Sequence, residues 1–340
     1  METTLNKAAD LITSFILADI PVNLIGSPGV GKSDIIKQVA DKLNLKVIDF
    51  RLSTADPTDL TGLPFVEDGR SVFLPNVAFP IEKDVVPEGY TGWLLFLDEI
   101  SNAPMAVQAA AYKLILDREV GLHNLHPEVK IVSAGNKMTD GAAVTGEMST
   151  ALKSRMAHIN IIHSLEVWLD WAMAAGVHHS ITSYLKFSIK DFYRFDPKDK
   201  ADTFPCPRTW AMADKLVQSL GTNSPLLRDA LSATISDGVA TNYINFCKNF
   251  ANLPTFADIV KDPENAEVPR ELSSCFAISG SIGSQTDITT VDQVMKYIDR
   301  MPMEFQLCTF NDFVKRNPGL AANTSVRGWL RKNAPHLTSD

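Results

Sequence analysis

The chain has 340 residues, 45% of them hydrophobic and 21% charged, and a formal net charge of −8. That composition fits a globular protein of two or three domains, and no apolar run approaches the ~20 residues needed to span a bilayer. No block of Lys and Arg stands out, which argues against a broad nucleic-acid or anionic-membrane surface, though a narrow basic pore would barely alter the total.

The N-terminal segment METTLNKAADLITSFILADI carries acids inside its apolar run and lacks a basic start. It is expected to be an amphipathic helix with Leu5, Ala8, Ile12, Phe15 and Ile16 on one face, not a signal peptide. Strands are expected at 22–25 (VNLI), 46–50 (KVIDF), 93–97 (WLLFL), 130–134 (KIVSA) and 158–162 (HINII). WLLFL is apolar throughout, as a strand buried on both faces of a parallel sheet should be. Between the strands, Ile35, Ile36, Val39, Ala40 and Leu43 recur at helical spacing, as do Met105, Ala109, Tyr112 and Leu116. This alternation predicts an α/β domain over residues 1–164, with three αβα layers around a parallel sheet. Beyond residue 165 the strand signal fades. SLEVWLDWAMAAG, RTWAMADKLVQSLG, SDGVATNYINFCKNFA and TVDQVMKYIDRM read as helices, and a polar, Pro-containing joint near 260–269 divides a helical region 165–263 from a helical extension 264–340. Cys206, Cys247, Cys275 and Cys308 lie far apart without metal-ligand spacing and are expected as reduced thiols in a cytoplasmic protein.

Five motifs carry chemistry. GSPGVGKS, Gly26 to Ser33, satisfies the phosphate-loop pattern between a strand and a helix. Gly26, Gly29 and Gly31 are expected to let the backbone turn its N–H groups toward phosphates. Lys32 supplies a point charge for the β and γ oxygens. Ser33 supplies a hydroxyl for Mg²⁺, and the helix beginning there offers its positive end. The expected ATP-binding set is therefore Gly26, Ser27, Pro28, Gly29, Val30, Gly31, Lys32, Ser33 and Asp34. In LLFLDEIS, a buried strand delivers Asp98 to its C-terminal edge as a metal carboxylate, and Glu99 follows as the base that orients and deprotonates water. A base aimed at water favours hydrolysis over phosphoryl transfer. Asn136, in SAGNKMTD, offers an amide to the γ-phosphate and the attacking water. Arg155, expected at the end of a short helix, suits transition-state stabilisation in a neighbour's site. Arg208 opens a helix behind two prolines, where it can couple nucleotide state to the helical region.

The order of these motifs resembles the AAA+ ATPases, and within them the MoxR-type, dynein-related branch. STADPTDLTGLP (53–64), DEISNAPMAVQAAAYKLILDREVG (98–121), AGNKMTDGAAVTGEMSTALKSRM (134–156), VWLDWAMAAGVH and PCPRTW carry the likeness, which thins after about residue 265. Met156 stands where a Phe commonly follows the arginine. The resemblance implies a ring, commonly a hexamer, with ATP and Mg²⁺ at each subunit interface. Lys32, Ser33, Asp98, Glu99 and Asn136 would act in cis and Arg155 in trans, with Lys153 as a possible second trans contact and Arg208 as the sensor of a helical lid. It also implies mechanical remodelling of a protein client beside a partner with a von Willebrand A-type domain. Segments 65–78 and 117–126 resemble the inserted hairpins that face the pore or client. The alternative is a nucleic-acid motor on the same core, but these hairpins offer only Arg70 and Arg118 against Glu67, Asp68, Asp117 and Glu119. The histidine pairs 123/126 and 178/179 read as ordinary side chains, not metal ligands.

Overall fold

The computed structural model describes residues 2–140, 148, 153–199, 201–248 and 253–337. Contacts group the chain into two units: Met1–Ser164 with Phe195–Lys200, and Leu165–Arg194 with Ala201–Asp340.

The first unit runs β1 (Glu2–Thr3), α1 (Leu5–Leu17), β2 (Val22–Gly26), α2 (Lys32–Lys42), β3 (Leu45–Arg51), α3 (Pro57–Thr61), β4 (Leu63–Glu67), β5 (Arg70–Leu74), β6 (Gly92–Asp98), α4 (Met105–Leu116), β7 (Glu119–Val120), β8 (His123–Asn124), β9 (Val129–Gly135) and β10 (Ala157–Ile161). Six strands form one parallel sheet in the order β1-β10-β2-β9-β6-β3. Strand β6 is buried from Gly92 to Leu97. Trp93, Leu95 and Leu97 join a core with Val107, Ala111, Leu114 and Ile115 of α4, while α2 packs on β3, β6 and β9. Helices on both faces explain why this strand has no polar alternation. The unit is the parallel-sheet α/β core of a P-loop NTPase.

Two features differ from the sequence reading. Glu2–Thr3 pairs with Asn160 and Ile161 as a short edge strand ahead of the helix; two residues are too few to show a period. Helix α4 forms where expected but turns another face inward. Val107, Gln108, Ala111, Leu114 and Ile115 are buried, Met105 and Ala109 are exposed, and Tyr112 and Leu116 are half-buried. The helix is apolar nearly all round, so periodicity alone cannot select its core side. Of the two antiparallel hairpins, β7–β8 falls within the expected segment 117–126, and β4–β5 overlaps 65–78 but begins two residues before it.

The second unit is helical: α5 (Leu165–Ala174), α6 (His179–Phe187), α7 (Pro207–Leu220), α8 (Leu227–Ile235), α9 (Asp237–Lys248), α10 (Phe256–Lys261), α11 (Leu272–Gln285), α12 (Val291–Ile298), α13 (Met303–Arg316) and α14 (Thr324–Leu337). One buried cluster gathers Trp168, Tyr184, Trp210 and Tyr243. A second gathers Ile278, Tyr297, Phe313 and Trp329. Helix α11 serves both, through Ala277 in the first and Cys275, Ile278 and Ile282 in the second. The four cysteines are free thiols. Among the described residues, no helix is long and apolar enough to cross a membrane.

Candidate nucleotide site

Strands β2, β9 and β6 are neighbours, and their carboxyl ends bring the loop after Gly26, Asn136 and Asp98 to one edge of the sheet. Register keeps them level: Ile25 opposes Gly135, and Leu97 opposes Ser133. In open parallel sheets this edge is the ligand-binding one. Below it, Ser133 Oγ donates to Asn23 Oδ1 at 2.8 Å, and Asn23 Nδ2 lies 3.4 Å from His158 Nδ1. This polar rung ties β9, β2 and β10 together inside the sheet; both Ser133 and Asn23 are buried. Buried polar groups survive when they satisfy one another.

In the phosphate loop, Gly29 (φ 75°) and Gly31 (φ 99°) adopt the left-handed conformation, and Gly31 caps the start of α2. Gly26 departs from the expectation. It is the last residue of β2, and a Cβ there would lie 3.1 Å from the Ile161 carbonyl oxygen and 3.2 Å from Val30 Cγ2. Its smallness makes room for β10 on one side and for Val30 of the loop on the other. Lys32 Nζ folds back to donate to the Gly26 carbonyl, to the Ser27 carbonyl at 3.2 Å and to Asn136 Oδ1 at 3.0 Å. Ser33 is half-buried and Asp34 exposed in the first turn of α2, where backbone N–H groups have no intrahelical acceptor.

Asp98 is half-buried. Burial pushes its carboxyl above the usual carboxylate range, and the hydrogen bond from the Glu99 backbone N–H (2.8 Å) only partly offsets this. A carboxylate in that environment gains more than an exposed one from a nearby cation. Glu99 has φ 58°, a left-handed conformation unusual for a side chain of its kind. Such geometry costs on the order of 1–3 kcal/mol and concentrates at functional sites. Its carboxylate accepts a hydrogen bond from Ser53 Oγ and lies 3.8 Å from Arg51 Nε. The Asn136 backbone N–H donates to Ser101 Oγ at 3.1 Å. Ser101 comes this close because residue 135 is glycine: a Cβ there would stand 2.8 Å from Ser101 Oγ. Ser27 Oγ donates to Asp140 Oδ1 at 3.2 Å, and Asp140 Oδ2 accepts from the Lys137 N–H at the same distance.

Sequence reasoning thus missed Ser53, Arg51, Ser101 and Asp140. Arg51 ends β3, and Ser53, Ser101 and Asp140 lie in the turns that follow β3, β6 and β9; single polar residues have no periodic signature, and the one available signal was their place at or just beyond strand ends.

Arg155 lies on the other side of the unit. It is exposed and precedes β10, at the amino edge of the sheet, whereas the phosphate loop leaves β2 at the carboxyl edge. The length of β10 sets these two levels on the order of 15 Å apart. Its guanidinium stands over the Tyr112 ring of α4, 5.6 Å from the centroid. The short helix expected before it falls largely on 149–152, outside the described residues. Arg208 is exposed in the first turn of α7, behind Pro207 at the first helical position. That helix belongs to the helical unit.

An ammonium, a helix N-terminus, a hydroxyl and a half-buried carboxylate at one strand edge form a donor set that fits a polyphosphate with a divalent cation. Among the described residues no group of three or more His, Cys, Asp or Glu could hold a metal on its own. Ser33 and Asp98 are the residues that would hold a divalent cation beside the phosphates. The histidines have other duties: His126 Nδ1 accepts from the Glu128 N–H with its ring against Trp93, and His178 Nδ1 accepts from the Ser180 N–H as the cap of α6.

Residues 21–156 match the AAA domain of the dynein-related subfamily. Comparison with curated proteins gave no match. Among solved structures, a mutant of Thermotoga maritima RuvB is similar at 17% identity, over 77% of this chain and 79% of that one, with a TM-score of 0.40. Brucella abortus NtrX is similar at 14% identity, over 98% and 67%, with a TM-score of 0.35. Over residues 21–156, then, this chain is similar to the AAA domain of the dynein-related subfamily.

Proposed function

We propose that this protein is an ATP hydrolase working as a ring, in which Arg155 of each subunit completes the site of the next. The observation that carries the reading is the position of Arg155. It sits at the sheet edge opposite its own phosphate loop, on the order of 15 Å away in level, so it reaches a nucleotide only across a subunit boundary. Within one subunit, Gly26 to Asp34 hold the phosphates, with Lys32 as the point charge. Asn136, already bonded to Lys32, orients the water, and Glu99 takes its proton. Ser33 and Asp98 are the residues that hold Mg²⁺, which when bound neutralises charge on the phosphate oxygens. Arg208 is assigned the role of sensor from a helical lid.

The work is mechanical, of the MoxR kind, in a hexamer acting on a protein client beside a von Willebrand A-type partner. The hairpin β4–β5 supports a protein client: Leu63, Phe65, Val66, Phe73 and Leu74 are all exposed on it. Apolar patches of this kind mark protein interaction sites. A nucleic-acid client is disfavoured, because Arg118 is tied into the fold. Its Nη2 donates to the Val129 carbonyl at 2.7 Å and its Nη1 lies 3.7 Å from Asp19.

Mixing tests the trans assignment. Arg155→Ala and Glu99→Gln subunits, each inactive alone, regain hydrolysis at hybrid interfaces that combine one intact base with one intact arginine. Absence of recovery at every ratio contradicts the shared site.

A further inference from the structure

We infer that Tyr112 is the positioning residue for Arg155: its ring fixes the guanidinium in the attitude in which it is offered to the neighbouring subunit. The inference rests on the proposed trans role of Arg155 and adds a residue to it.

Tyr112 is on α4, and that helix is anchored ahead of its start and along its inner face. Ahead of it, the turn 100–102 holds Ser101, whose Oγ accepts from the Asn136 N–H. Along its inner face, Val107, Ala111, Leu114 and Ile115 are buried in the core of the sheet. Tyr112 packs against the rim of that core and is only half-buried. The helix therefore cannot carry the ring away, and one face of the ring remains open to a cation. Arg155 occupies that face at 5.6 Å, within the ~6 Å range of cation–π attraction. An arginine side chain has many rotamers, and a contact that favours one of them lowers the entropy cost of each productive encounter. Stacking removes that selection in advance, and a planar, weakly hydrated guanidinium stacks well where an ammonium would not. The face of α4 that failed to enter the core, Met105, Ala109 and Tyr112, is the face on which the ring is presented. Of that stripe, Tyr112 is the residue that meets the arginine.

The phenolic hydroxyl has no part in this contact, so the aromatic face alone carries the function. The test uses the full chain and measures steady-state ATP turnover, nucleotide binding and the thermal midpoint for Tyr112→Phe, Tyr112→Leu, Tyr112→Ala, Arg155→Ala and the double variant Tyr112→Ala/Arg155→Ala. Tyr112→Phe retains near-normal turnover. Tyr112→Leu and Tyr112→Ala lower kcat roughly fivefold to thirtyfold, the span of a partly desolvated cation–π contact, while nucleotide affinity is kept. The double variant is no slower than Arg155→Ala alone, because the ring acts only through the arginine. Mixing Tyr112→Ala with Glu99→Gln subunits restores turnover, as mixing with Arg155→Ala does. If Arg155→Ala is slow but Tyr112→Leu is as fast as the unaltered chain, the positioning role falls and the trans arginine stands. If Arg155→Ala is itself as fast as the unaltered chain, both fall. Additive losses in the double variant, or a Tyr112→Phe as slow as Tyr112→Leu, also overturn the inference. Tyr112→Leu keeps the bulk against the core and serves should Tyr112→Ala fail to fold.

Discussion

At neutral pH the helical unit holds two stacked imidazoles, His178 and His179, with ring centroids 4.5 Å apart. Burial pushes His179 down to about 3, helped by the neighbouring His178 and Arg316. His178 is lowered too, again chiefly by burial, with Asp214 partly opposing. The sign follows directly. An unfolded histidine titrates near 6.5, so between that value and about 3 the unfolded chain binds a proton that the folded chain refuses. Stability is unaffected above the unfolded value and is lost as pH falls below it. For His179 alone, the move from pH 7.5 to pH 5 costs about 2 kcal/mol, at ~1.4 kcal/mol per pH unit within the window. Four of the five tryptophans, Trp168, Trp171, Trp210 and Trp329, belong to this unit, so urea unfolding followed by tryptophan fluorescence reports on it. With an m-value of ~2 kcal/mol/M, the midpoint should fall by ~1 M more in the unaltered chain than in His179→Gln over that pH step. Equal acid sensitivity of the two proteins would refute the reasoning, whatever the other carboxylates contribute, because they are common to both.

Two other predictions concern the nucleotide edge and the client. Gly135→Ala forces a Cβ to within 2.8 Å of Ser101 Oγ and so displaces the group that holds the Asn136 backbone. Chemical denaturation should show a loss of about 1–3 kcal/mol, and turnover per folded subunit should drop severalfold; unchanged turnover would detach Ser101 from the site. Because Arg118 is committed to backbone carbonyls and to Asp19, DNA should not stimulate ATP turnover at physiological salt. A several-fold stimulation would favour the nucleic-acid motor.

Much of the core was legible because its determinants are local. WLLFL and KIVSA reveal strands buried on both faces, VNLI reads as a strand, and the phosphate-loop spacing marks its own residues by sequence alone. The order of Asp98, Glu99 and Asn136 could be read because each follows a strand directly. What remained hidden depends on partners distant in sequence. Ser53 meets Glu99 across 46 positions, Ser101 meets Asn136 across 35, and Ser27 meets Asp140 across 113. That Gly26 must also clear Ile161 of β10 depends on a neighbour 135 positions away. The face of α4 was misread because both sides are apolar, and only the packing of β6 and β9 decides between them. In the helical unit, the sequence of 264–340 predicts helices, but not that Gly280 and Gly283 of α11 let it lie close to its neighbours: a Cβ at Gly283 would stand 2.6 Å from Asp312 Cβ.

The central claim is that a water activated by Glu99 attacks ATP held by Lys32. Its most direct test is Mg²⁺-dependent phosphate release from the purified chain, measured beside ATP binding for the unaltered protein and for Glu99→Gln. The account predicts turnover in the first and, in the second, retained binding with hydrolysis at least ~100-fold slower. Equal turnover in the two proteins would contradict it.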